Sequence, residues 1–267
     1  MLTVVTSGKA APGVTTTAWA LALSWPGSLL LADCDPAGGD MAPGFLAGRV
    51  STEHGLLSWS TSARRGVPAM SAATMLAQHV VELPERSEVW FLPGFATSTQ
   101  GFSFTDETWE RLAQALERSS AAMGRDSLVD AGRLVGERGN WPVLRAADQV
   151  LLAVRPSVRS VHAAQDAVLR LRYELGDLSK VSVVVIGAGP YTSGEVSAAL
   201  QLSLGGVLPE DRAAAAVLSD GTNLPITKQL HKSALLKAAG TVARRLTASA
   251  YAEGGRRSRT VSKYCWY

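Results

Sequence analysis

A short glycine-bearing stretch near the amino terminus has the residue types of a phosphate cradle. It reads Gly8-Lys9-Ala10-Ala11-Pro12-Gly13-Val14-Thr15-Thr16, between an apolar run, Leu2–Thr6, and a helix-forming run, Thr15–Ser24. The phosphate-binding pattern G-x-x-x-x-G-K-[ST] needs that strand–loop–helix setting. Gly8 and Gly13 stand at its spacing and Thr15 at its hydroxyl position. Small residues let backbone N–H groups close on a phosphate chain, and the helix dipole adds to the attraction. A hydroxyl at Thr15 is placed to ligate Mg2+. Val14 occupies the place of lysine. On its own, therefore, the stretch reads equally as a cradle or as a turn that needs glycines for geometry alone.

Two further sets of residues end apolar runs in acids. Ser28–Ala32 leads into Asp33-Cys34-Asp35-Pro36, and Ser127–Val129 leads into Asp130-Ala131-Gly132. In an open parallel sheet, ligands bind beyond the carboxyl ends of the strands, where these aspartates would fall. Each segment alone also fits a plain turn. His54, His79, His162 and His231 are scattered without the spacing of a zinc site. Cys34 and Cys265 are the only cysteines. They exclude a disulfide framework and suit a reducing compartment.

The elements that must position these residues follow from the apolar pattern. Leu2–Thr6, Ser28–Ala32, Val89–Leu92, Ser127–Val129, Gln149–Val154, Val181–Ile186 and Gly206–Leu208 read as strands. Continuous apolar runs of this kind belong to parallel strands covered on both faces. Thr15–Ser24, Asp106–Ser119, Val158–Leu175, Glu195–Leu202 and Thr227–Ala250 read as helices, with shorter ones at Leu56–Ala63 and Ser71–His79. The alternation predicts an α/β fold: one doubly wound, mostly parallel sheet flanked by helices, spanning residues 1–253. With 46% hydrophobic and 18% charged residues, the chain can bury such a core. The net charge of +3 rests on Arg256, Arg257, Arg259 and Lys263, which sit in an acid-free stretch. The body is thus near neutral, which argues against a general nucleic-acid binder. Residues 254–267 read as a mobile basic and aromatic tail. The start lacks a cationic signal segment, and no run is long enough to span a membrane. A cytoplasmic protein, peripheral at most to a membrane or the nucleoid, is expected.

Taken together, Lys9, Gly13, Thr15-Thr16, Asp33-x-Asp35-Pro36 and Asp130-x-Gly132 resemble the MinD/ParA family of P-loop ATPases, whose loop reads K-G-G-x-G-K-T-T. Ala10, Ala11 and Val14 depart from that pattern, as degenerate loops of TadZ/CpaE-like members do. The resemblance covers about residues 1–245. It implies ATP or ADP with Mg2+ as ligands, held by the loop from Gly8 to Thr16. Lys9 would reach across a homodimer to the partner's phosphates. Asp35 would orient the attacking water, Asp33 would support the metal shell, and Asp130 would hold Mg2+ through water. Gly38, Gly39 and Asp40 would begin a first switch, and Gly132 would meet the γ-phosphate in a second. Pro209, Glu210 and Asp211 resemble the loop beside the adenine base. The function so implied is a dimerising ATP switch with weak hydrolysis, used in partitioning or division-site positioning with a regulatory protein partner. A catalytically inactive scaffold for pilus assembly or polar localisation is the other reading, favoured by Val14. DNA or membrane contact would fall to the tail or to the face of Thr227–Ala250 that carries Lys228, Lys232, Lys237, Arg244 and Arg245.

Overall fold

The computed structural model describes residues 1–8, 13–46, 54–63, 68–83, 86–134, 139–221 and 230–261, except the side chains of 69–70, 120–123 and 250–261. The strands are β1 Leu2–Ser7, β2 Leu29–Asp33, β3 Val81–Leu83, β4 Arg86–Leu92, β5 Asp126–Arg133, β6 Gln149–Val154, β7 Val181–Ile186 and β8 Ser203–Leu208. They form one sheet in the order β3-β4-β2-β5-β1-β6-β7-β8. All neighbours are parallel except β3 and β4. Every residue of β1 and β2 is buried. That is the reason neither sequence shows the apolar–polar alternation of a half-exposed strand.

Helices cover both faces. One apolar cluster joins the sheet to α2 Leu56–Ala63, α3 Ala69–Leu76, α5 Asp106–Met123, α6 Trp141–Ala146, α7 Val158–Leu175 and α8 Ser193–Leu200. The other joins it to α1 Val14–Leu23, α9 Arg212–Asp220 and α10 Ala234–Val261. A short helix, α4 Ser98–Phe102, follows β4. The chain leaves β1 for β2 on one side and returns to β6 on the other, so the winding reverses at β1. Ligand crevices form at such reversals, and the carboxyl end of β1 is where the glycine-bearing loop starts.

The helix that follows the loop is α1. It is apolar nearly all round because α9 and α10 cover the side away from the sheet. Trp19 is fully buried, with ring centroids 4.6 Å from Phe45 and 5.3 Å from Phe91.

Several elements depart from the sequence reading. The fifth strand runs on past Val129 to Arg133, because pairing with β1 and β2 holds the Asp-Ala-Gly segment extended. Val81–Leu83 adds an antiparallel edge strand too short to show a period. Short helices α4, α6 and α9 were not expected. The last helix begins at Ala234, preceded by a 3-10 turn at Leu230–Lys232, and continues to Val261 through Gly254 and Gly255. Glycine costs about 1 kcal/mol in a helix, which weakens it without forbidding it. Residues 262–267 lie outside the described residues.

Trp19→Ala should lower stability by about 3–5 kcal/mol, the usual cost of emptying a buried aromatic site. Urea denaturation checks this, and Trp19→Phe should lose less than half as much.

Candidate functional site

The loop is described at its two ends. Gly8 closes β1 against α7, where the backbone of Ala163 leaves no room for a Cβ. Gly13 precedes α1 with φ 90° and ψ 42°, a left-handed conformation that glycine adopts without strain. Its carbonyl accepts the Thr17 N–H at 2.8 Å. Among the described residues no side chain caps this helix start. Amides at a helix start of this kind attract anions. Val14 is 7% exposed and belongs to the apolar cluster around α1, whereas Thr15 and Thr16 are half-buried. Lys9, Ala10, Ala11 and Pro12 lie outside the described residues.

The acids meet this helix start at the ends of β2 and β5. Asp33 pairs with Asp130 in the parallel register, and both are 1% exposed. The Asp130 carboxylate accepts the Gly132 N–H at 2.8 Å and is also hydrogen-bonded by the Thr15 side chain. Asp33 Oδ1 accepts the Asp35 N–H at 3.3 Å, while its buried Oδ2 has no partner among the described residues. Asp35 is half-buried, and its Oδ1 accepts the Ala37 N–H at 2.8 Å. Gly132, at φ 61°, lies so close to the Asp35 carboxyl that a Cβ there would overlap it.

Burial and like charge set the proton affinities. Burial pushes Asp33 well above the usual carboxylate range, and Asp130, Asp35 and Asp40 push it further against the Asp35 N–H. Burial raises Asp130 to about 6, with the Gly132 and Thr15 hydrogen bonds opposing and Asp35 and Asp40 adding repulsion. Asp35 is raised by burial and by Asp40, against the Ala37 N–H and the Arg133 charge. An all-oxygen donor set of Thr15, Asp33, Asp35 and Asp130, holding one orphaned carboxylate oxygen, fits a hard cation such as Mg2+. Among the described residues no three acids, histidines or cysteines form a metal cage. A cation here would thus draw part of its shell from water and phosphate.

Asn140 was not anticipated. It is 5% exposed, and its Nδ2 donates to the carbonyls of Cys34 at 2.8 Å and Ala131 at 2.9 Å. One side chain thereby ties the two acid-bearing segments together. Thr6 Oγ1 donates to the Gly132 carbonyl at 3.0 Å and adds β1 to the assembly. A single asparagine before Trp141-Pro142 carries no motif that could have revealed this.

The remaining candidates are more distant or already engaged. Asp40 is exposed, and Gly39 donates its N–H to the Phe95 carbonyl at 2.7 Å. Pro209, Glu210 and Asp211 follow β8, which β6 and β7 separate from β1. Asp211 caps α9 through the Ala214 N–H at 3.0 Å. Glu210 pairs with Arg212 at 3.3 Å and Arg155 at 4.0 Å.

Two substitutions probe this arrangement. Asn140→Ala leaves two buried carbonyls unpaired and should cost about 1–3 kcal/mol in urea denaturation. Asp130 binds its proton more tightly when folded, so the protein without ligand should lose stability as pH rises from about 4 through 6. Asp130→Asn removes that charge. It should raise the unfolding free energy in urea at about pH 7.5 by on the order of 3 kcal/mol, and leave it nearly unchanged near pH 4.

No protein-family model matches the chain, and no curated protein matches it. Solved structures do. The MinD cell division protein of Aquifex aeolicus superposes with a TM-score of 0.70 at 21% identity, over 92% of this chain and 97% of that one. A ParA family ATPase from Chlorobium tepidum gives 0.68 at 21% identity, over 91% and 98%. The septum site-determining protein MinD of Pyrococcus horikoshii, solved with Mg-ADP, gives 0.69 at 15% identity, over 92% and 95%. At 15% to 21% identity, what these superpositions show is the fold: this chain has the fold of the MinD/ParA P-loop ATPases.

Proposed function

We propose that the chain is a Mg-ATP-binding switch of the MinD/ParA type. The observation that carries this reading is the pair of buried acids, Asp33 and Asp130, side by side at the ends of β2 and β5, with one Asp33 oxygen that has no partner among the described residues. Thr15, in the first turn after the loop, acts on the Asp130 charge, and Gly132 lies against the Asp35 carboxyl, so the hydroxyl and the acids of a Mg-phosphate site share one end of the sheet. The neighbour solved with Mg-ADP supports the same ligands.

Bound Mg-ATP would supply the γ-phosphate as the electrophile. The loop amides and α1 would hold the phosphate chain, and Thr15 and Asp130 would hold the cation directly and through water. Asp35, half-buried and raised in proton affinity, would orient the attacking water. Lys9 would complete the site across a homodimer, and Asp40 and Gly132 would report the nucleotide state. Slow turnover would reset the dimer. The matched cell division and ParA family proteins support a role in intracellular positioning, with a protein partner that controls turnover. Val14 supports the second reading, a scaffold that binds nucleotide without hydrolysing it.

Three measurements separate these readings: Mg-ATP affinity by calorimetry, phosphate release, and mass in solution with ATP or ADP. The switch predicts binding, slow release and an ATP-dependent dimer. Lys9→Ala should abolish the dimer, and Asp35→Ala should keep affinity while lowering release at least about 100-fold. Binding without release selects the scaffold. Absence of binding sinks both. Loss of salt-sensitive DNA or anionic-vesicle retention on deleting residues 256–267 would assign the tail.

A further inference from the structure

The phosphate loop keeps the first lysine of its pattern, Lys9, which would act across a dimer, but lacks the second, which would act within the chain. Val14 stands where the motif places lysine, and it is buried in the apolar cluster around α1. A triphosphate still needs a positive partner, since its charge is large and α1 contributes only a partial one.

The strand beside the loop offers an arginine. In the parallel register Val5 faces Asp130, but Ser7 faces Arg133. Two steps along β1 thus match three along β5. The shift is a β-bulge, a device that re-aims side chains beside active sites. Gly132, at φ 61°, sits inside it. The Leu134 N–H donates to the Ser7 carbonyl at 2.8 Å and fixes Arg133 next to the residue before Gly8. Arg133 is exposed, and its charge acts on Asp35. Among the described residues it forms no ion pair with an acid. Arg155, which follows β6 on the other side of β1, pairs with Glu210.

We propose that Arg133 is the phosphate charge partner of this site, supplying from the bulge of β5 the cation that Val14 withholds from α1. The inference rests on the Mg-nucleotide reading above. A guanidinium presents paired donors that match phosphate oxygens, so it can serve from a neighbouring strand where an ammonium would need the loop position. Because Arg133 follows Gly132 directly and its charge acts on Asp35, the residues assigned to the γ-phosphate end of the site, it should favour a triphosphate over a diphosphate.

The test is Mg-ATP and Mg-ADP affinity by calorimetry. Arg133→Ala should weaken ATP binding about 10–100-fold, the range for losing charge-assisted hydrogen bonds, and weaken ADP binding much less. Arg133→Lys should recover part of the loss, and Val14→Lys placed on Arg133→Ala should recover more. Arg145→Ala, which removes a surface cation paired with Glu174, should change neither affinity. If wild-type protein binds ATP and Arg133→Ala binds it equally well, the assignment is overturned and the nucleotide reading stands. Equal loss of both nucleotides without rescue by lysine marks structural damage and also overturns it. If wild-type protein binds neither nucleotide, the reading beneath it fails first.

Discussion

Two carboxylates buried side by side at the ends of adjacent parallel strands are unfavourable unless something compensates them. Asp33 and Asp130 are such a pair. Hydrogen bonding lowers the cost for Asp130 through the Gly132 amide and the Thr15 hydroxyl, but leaves one Asp33 oxygen unanswered. A protein selected for stability alone would replace these acids with apolar residues. Their retention in a dry position makes sense where a cation and a phosphate chain complete the balance. The rest of the architecture keeps this strained set in place.

That support comes from backbone as much as from side chains. Parallel pairing brings β1, β2 and β5 to one end, where Asn140 and Thr6 stitch the emerging loops together. The glycines act by what they lack. A methyl group on Gly132 would collide with Asp35, and one on Gly39 or Gly94 with Asp33. The acids can therefore approach the backbone closely enough to be held rigidly, which electrostatic preorganisation requires.

Much of this was legible in the chain. Strands buried on both faces announce themselves as unbroken apolar runs, and β1, β2, β6 and β7 did so. The acids were visible because they end such runs, and α2 was read with its observed bounds. What stayed hidden depends on tertiary partners. Asp130-Ala131-Gly132 looks like a turn, and only its neighbours keep it in a strand out to Arg133. Val81–Leu83 is a strand because β4 offers it an edge. Asn140 has no local signature, since its role is defined by two carbonyls distant in sequence. Arg133 gained its place through a register shift that composition does not encode.

The apolar wrapping of α1 has a mechanical corollary. Its outer side lies against α10, and Ser24 at its end donates to the Leu236 carbonyl at 3.0 Å. The helix that opens at the glycine-bearing loop and the helix that carries the chain to Val261 are thus rooted in one solid block. A tug at the carboxyl terminus would be felt at the crevice with little slack between them.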